Sequence, residues 1–288
     1  MRYLLVKFFY FLIILLDKLF SIFSKTFLLR GYIYQELRET FKFISIEKYK
    51  FKMFIPSNLV EWRCNNVEEK EPETIEWIKK FNSSNNKINF WDIGANIGLY
   101  TLFASKYHEN KIQVIAFEPS VLNLSVLARN IYENKLNNTA KILQLPLIDN
   151  EGKFLQMKET FLEEGASLST FGEDYNFEGK KINPKVTYNI LGTSIDSLIN
   201  QKILEVPNYI KIDVDGIEHL ILESGLSVLR SNSLLSVLVE INENFEDQKK
   251  RVEKLMSSCG FKLSEKHQSK NLAKIKEFNN MYNYIYNK

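Results

Sequence analysis

A chain of 288 residues, 45% apolar and 25% charged, has an ordinary globular composition and can bury a core that needs no staple. With 38 basic against 35 acidic residues and no basic stripe, the charge balance points to no nucleic-acid partner. Two cysteines (Cys64, Cys259) and three histidines lack zinc-type spacing, which excludes a Cys/His metal site and fits a reducing cytoplasm.

Residues 8–16, FFYFLIILL, are an unbroken apolar run bounded by Lys7 and by Asp17 and Lys18. A membrane-spanning helix needs about 20 apolar residues. Leu4 to Phe23 has that length, but three charges interrupt it, and no small-residue cleavage site follows. Residues 1–30 are expected to form a helix that packs on the catalytic domain or on a second copy of the chain, or that lies on the inner face of a membrane. Residues 31–86 then read as an extension or cap. They contain two β-like runs, FKFISI and YKFKMFI, a turn at Pro56-Ser57-Asn58, and a helix that begins at Pro72. That helix carries Ile75, Trp77, Ile78 and Phe81 and ends in the polar loop 82–86.

From residue 87 to 288 strands alternate with helices: INFWDI, LYTLFASKY, IQVIAFE, SVLNLSVLARNIYENKL and KILQLPL. A Gly-, Glu-, Asn- and Lys-rich insertion occupies about 149–194. The alternation then resumes with NYIKIDV, IEHLILESGLSVL, LLSVLVEI and FEDQKKRVEKLMSSCG, and FKLSE and MYNYIYN close the sheet. Such alternation predicts an α/β, doubly wound, mostly parallel sheet with helices on both faces.

Two constellations carry chemistry. In the first, Asp92-Ile93-Gly94-Ala95-Asn96-Ile97-Gly98 lies where a strand hands over to a helix, with Glu118 at the end of the next strand. Gly94 and Gly98 would let backbone approach a ligand, and the helix start offers free N–H groups to a carboxylate. Glu118 would accept hydrogen bonds from ribose hydroxyls. Dinucleotides want G-x-G-x-x-G, so that pyrophosphate can approach the middle glycine, and that glycine is missing. S-adenosyl-L-methionine has no pyrophosphate, and its amino-acid end suits Asp92 for the ammonium.

In the second, IKIDVDGIEH places Asp213 and Asp215 at the C-terminal end of a strand, where open α/β sheets bind ligands. Alternation along an extended chain would put both carboxylates on one face. Asp213, Asp215 and His219 are the candidates for positioning and deprotonating a methyl acceptor. Asp215 and Glu218 also suit a helix N-terminus. The two aspartates with Glu240 are the one carboxylate set able to take Mg²⁺, but no metal is expected.

Together these segments resemble the FkbM family of methyltransferases: FWDIGANIGLYT (90–101), AFEPS (116–120), SIDSLI (194–199), IKIDVDGIEHLILESG (210–225) and LVEI (238–241), with EWR (61–63) and KEPETIEWI (70–78) upstream. The resemblance implies a Rossmann-like class I methyltransferase fold with an antiparallel last strand. It also implies S-adenosylmethionine as donor and mostly O-methylation, with sugars or polyketide-type products as acceptors. By position, Asp92, Gly94, Asn96 and Gly98 would hold the methionine end, Glu118 the ribose, and Asp213 would sit beside the methyl. Ala95, Tyr100 and Pro119 complete the cofactor side. Leu147, Ile148 and Asp149 are the adenine candidates, and Ser167 and Ser169 of the insertion the acceptor-side ones. The chain departs from the family pattern at His219 and Ser224. A sugar, glycan or glycolipid acceptor is expected. A small secondary metabolite, a protein side chain, or a non-catalytic role in assembly are the alternatives.

Overall fold

The computed structural model describes residues 2–23, 29–82, 87–149, 152–269, 273 and 275–288; beyond Asn82, the loop expected over 82–86 lies outside them. The chain opens with helices α1 (Arg2–Phe23) and α2 (Leu29–Arg38). No helix among the described residues is long and apolar enough to cross a membrane. Along α1, Leu4, Phe8, Phe11, Leu15 and Leu19 are exposed, and Asp17 meets Arg30 of α2, whose backbone N–H it accepts at 2.9 Å.

The two β-like runs form an antiparallel hairpin, β1 (Phe41–Ile46) and β2 (Tyr49–Phe54). A helix that the sequence reading missed follows, α3 (Asn58–Lys70). Ser57 caps it by accepting the Val60 N–H at 3.1 Å, so the Pro56-Ser57-Asn58 turn is a helix start. Its weak amphipathicity hid it. The helix from Pro72 is present as α4 (Pro72–Lys79).

Then come β3 (Ile88–Ile93), α5 (Leu99–His108), β4 (Ile112–Phe117), α6 (Val121–Glu133) and β5 (Ala140–Leu143). The strand expected through KILQLPL stops at Leu143, and Leu147 makes only an isolated bridge to Thr193. Between them stands Pro146, which has no N–H for a ladder. The insertion folds as a three-stranded antiparallel sheet of β6 (Phe154–Glu159), β7 (Thr170–Phe171) and β8 (Val186–Leu191). The chain continues with α7 (Ile195–Asn200), β9 (Tyr209–Ile212), α8 (Glu218–Glu223), α9 (Leu226–Arg230), β10 (Ser236–Asn242), α10 (Glu246–Ser258), β11 (Lys262–His267) and β12 (Met281–Asn287). The single helix expected over IEHLILESGLSVL is thus two. It breaks at Gly225, where a Cβ would lie 2.8 Å from Ile195.

The main sheet has seven strands in the order β11-β12-β10-β9-β3-β4-β5. β10, β9, β3, β4 and β5 run parallel, and β12 is antiparallel to both neighbours. Alternation divides the core. Phe90, Val114 and Ala116 join the hairpin, α3–α4, α5 and α6 on one face, while Trp91, Ile115 and Phe117 join α7–α10 and the insertion on the other. The parallel order reverses at β3, so the loops after β3 and β9 flank one crevice, the usual place for a ligand in such sheets.

Candidate active site

At that crevice lies a cavity of about 340 Å³, within the range of small-molecule sites. The loop after β3 supplies Gly94 and Asn96, the end of β4 Glu118 and Pro119, and the loop after β9 Asp213 and Asp215. β10 adds Glu240, the insertion adds Ser167 and Ser169, and α3 adds Arg63 and Lys70.

The turn after β3 is built for its own packing. Gly94 has φ +85°, and a Cβ there would stand 1.9 Å from the Asp213 carbonyl oxygen; Gly98, at φ +88°, would meet Leu127 at 2.5 Å. These glycines therefore bring two loops and a helix together, where the sequence reading had expected ligand approach. Four of the turn's N–H groups are also committed. Gly94 and Ala95 donate to Phe117 O at 3.0 Å, Asn96 donates to Glu118 at 2.7 Å, and Gly98 donates to Ala95 O at 2.8 Å.

Glu118 is buried. Its second oxygen accepts the Ser120 N–H at 2.9 Å, and burial pushes its carboxyl up to about 7 despite both bonds. Each oxygen keeps a lone pair for a ribose hydroxyl. Beyond it, Phe117, Pro119, Leu145, Leu147, Met157 and Phe171 form an apolar slot suited to a flat base. Leu147 is on this wall; Ile148 is buried and Asp149 exposed, both away from it.

The expectation that strand alternation sets Asp213 and Asp215 on one face does not apply, because β9 ends at Ile212 and Asp215 is left-handed, with φ +66°. A tight turn brings them to the same cavity instead. Glu218 holds that turn, accepting the Val214 and Gly216 N–H groups at 3.0 Å, while Gln248 donates to Glu218 at 2.5 Å. Lys211 Nζ donates to Asp213 at 2.7 Å. Burial opposes ionisation of Asp213, but Lys211, with Lys70 and Arg63 beyond it, holds the carboxyl well below the usual range. Asp215 goes the other way: burial and the Asp213 charge raise it to about 6, although the Leu168 N–H donates to it at 2.7 Å. Burial and the same neighbour push Glu240 well above its ordinary value, which favours its protonated form.

Three more candidates stand behind the cavity wall. Asp92 accepts from the Thr101 hydroxyl at 2.6 Å, while its other oxygen has no hydrogen-bond partner among the described residues. Tyr100 lies under Lys211, 5.0 Å from ring centroid to Nζ, and burial with Glu71 beside it raises its phenol. Ala95 is buried next to the turn. His219 is a correction. It sits on α8, edge-on to Phe245 with centroids 5.7 Å apart, and burial with Arg251 nearby lowers it to about 4. It does not reach the cavity, because one turn of helix from Gly216 carries the side chain to the α10 side.

Sequence reasoning missed four charged residues. Lys211 had a signal, a cation inside a strand buried along its whole length. Arg63, Lys70 and Glu71 lie in the upstream segments EWR and KEPETIEWI of the family resemblance, which carried no role for them; they reach the site because α3 folds over it. Among the described residues no group of three or more His, Cys, Asp or Glu is arranged to hold a metal ion. Both cysteines are buried free thiols.

A family model described as the methyltransferase FkbM domain matches residues 92–263. Among solved structures, a putative S-adenosylmethionine-dependent methyltransferase from Streptococcus mutans aligns at 10% identity and TM-score 0.50, covering 86% of this chain and 55% of that one. The methyltransferase FkbM of Methylobacillus flagellatus aligns at 12% identity and TM-score 0.46, covering 81% and 62%. An O-methyltransferase from Bacillus cereus in complex with S-adenosylhomocysteine aligns at 11% identity and TM-score 0.46, covering 80% and 89%. At such identities the likeness is one of fold. No curated protein sequence matches.

Proposed function

Since the chain belongs to the FkbM methyltransferase family, whose methyl donor is S-adenosylmethionine, we propose that it methylates a hydroxyl group on a sugar, glycan or glycolipid. The donor supplies an electrophilic methyl group on a sulfonium. The observation that carries the reading is Asp215, a carboxylate on the cavity wall raised to about 6 next to one held ionised by Lys211. A hydroxyl becomes a good nucleophile only as its proton leaves, and a base poised near neutral pH can take that proton. Asp213 stays negative and supports positive charge at the transfer point; Asp215 receives the proton; Glu240, whose protonated form burial favours, faces the acceptor side of the cavity. At the mouth Trp62, 41% exposed, offers a flat apolar face to a sugar ring.

The donor side is tested by calorimetric titration with S-adenosylmethionine and, separately, NAD, on wild type and Glu118→Ala. Micromolar binding of the methyl donor is expected, weakened at least tenfold by the substitution, because charge-assisted bonds to two hydroxyls are lost. NAD should not bind. Donor affinity indifferent to Glu118 would remove this assignment of the site.

A membrane-associated acceptor fits α1. With about 3.6 residues per turn, the exposed Leu4, Phe8, Phe11, Leu15 and Leu19 form one stripe along that helix, with Lys7 and Lys18 at its edge. An exposed apolar stripe edged by lysines suits a helix lying in a lipid interface. The full chain is expected to sediment with vesicles containing phosphatidylglycerol and to lose this on Leu15→Asp/Leu19→Asp. A wild-type chain left in the supernatant removes the membrane from the reading.

A further inference from the structure

Resting on the donor reading above, we propose that Arg63 of the cap helix α3 binds the α-carboxylate of S-adenosylmethionine, which makes the cap part of the cofactor site. The donor's amino-acid end is a zwitterion, and its carboxylate needs hydrogen-bond donors. The glycine turn and the helix start after it, where the sequence reading had placed free N–H groups, do not supply them: Gly94, Ala95, Asn96 and Gly98 already donate to Phe117, Glu118 and Ala95, and Ile97 does not line the cavity. Gly98 and the first residues of α5 do not line the cavity either.

Three cations stand near the polar end of the cavity. Lys211 is committed to Asp213, and Lys70 to Glu71. Arg63 is on the wall, half-buried, and no carboxylate of the described residues lies within 4.0 Å of its nitrogens. Its Nε donates to Gly165 O at 2.5 Å, the one hydrogen bond its guanidinium makes among the described residues, which leaves the two terminal nitrogens for a ligand.

The guanidinium is also in the right place. Gly165 N–H donates to Asn123 Oδ1 at 2.8 Å, and the Asn96 amide donates to the next carbonyl, Ala166 O, at 2.8 Å. Arg63 is therefore tied, through one loop, to the Asn96 side chain of the glycine turn. Its charge is felt by both Asp213 and Asp215, so it lies at the methyl-transfer end, where the methionine chain must lie. A planar guanidinium fork matches a carboxylate bidentately.

The test is calorimetry with two probes, S-adenosylhomocysteine, which has the amino-acid end, and 5′-methylthioadenosine, which lacks it. Arg63→Gln is expected to weaken S-adenosylhomocysteine at least tenfold and to leave methylthioadenosine within twofold, with part of the loss restored by Arg63→Lys. Equal weakening of both probes would mean that Arg63 only shapes the cavity, and no weakening of either would free it from the donor; both outcomes overturn the proposal. If the wild type binds neither probe, it is the donor reading that fails.

Discussion

Replacing Asp215 by asparagine is expected to lower turnover by roughly 10²–10⁴-fold, the span usual for losing a positioned general base. Asparagine keeps an oxygen for the Leu168 N–H that now donates to the carboxylate at 2.7 Å, so the left-handed turn at φ +66° retains its anchor. Donor affinity should stay within about twofold of wild type, because a base acts on the acceptor, and only affinity changes of about 1.4 kcal/mol reach tenfold. The wild-type rate should rise with pH through an apparent value near 6, where burial and Asp213 have moved this carboxyl. Below that pH the group is protonated and cannot accept, so the acid limb belongs to it and should vanish in the variant. The measurement is transfer from labelled donor to an acceptor drawn from a sugar pool, between pH 5 and 8. A few-fold loss with the limb intact would assign the proton to another group.

Lys211→Met is expected to be the most destabilising single change at the site. Lys211 is 1% exposed and sits among Asp213, Glu71 and Asp92, which, against its own burial, raise it above its ordinary value and keep it charged. Removing one partner of a buried pair leaves the other uncompensated, at a cost of about 3–5 kcal/mol. At roughly 2–4 °C per kcal/mol for a chain of this order, the melting temperature should fall by roughly 6–20 °C. The double change Lys211→Met/Asp213→Asn should recover part of that loss, because no unpaired charge remains at Asp213. Thermal unfolding of wild type, Lys211→Met and the double variant, followed by circular dichroism, checks this. A single variant that melts with wild type would mean that solvent reaches the cluster.

The same pair shows why some of the site could be read from the chain and some could not. Asp213 and Asp215 were legible because a carboxylate at the C-terminal end of a parallel strand has few uses apart from a ligand. Their opposite protonation was not legible, because it depends on which side chain each meets after folding: Lys211 for one, Asp213 itself for the other. His219 was over-read for a related reason. Sequence nearness to Asp215 says nothing of direction once a helix starts, and one turn of α8 carries it to Phe245. Of the apolar slot beyond Glu118, the sequence named only Pro119 and Leu147, since Phe117, Met157 and Phe171 come from three separate strands or their ends.

What the sequence determined by itself is the alternating α/β order, the mostly parallel sheet, and the two acidic loops that face one crevice. These follow from local periodicity and from turn residues, which act over a few positions and survive in any context. Tertiary structure alone decided that α3 covers the crevice, that the glycine turn uses its N–H groups internally, and that Arg63 stands free at the polar end. Those features come from contacts between segments far apart in the chain, such as the 102 positions between Arg63 and Gly165, and no local pattern encodes such a distance.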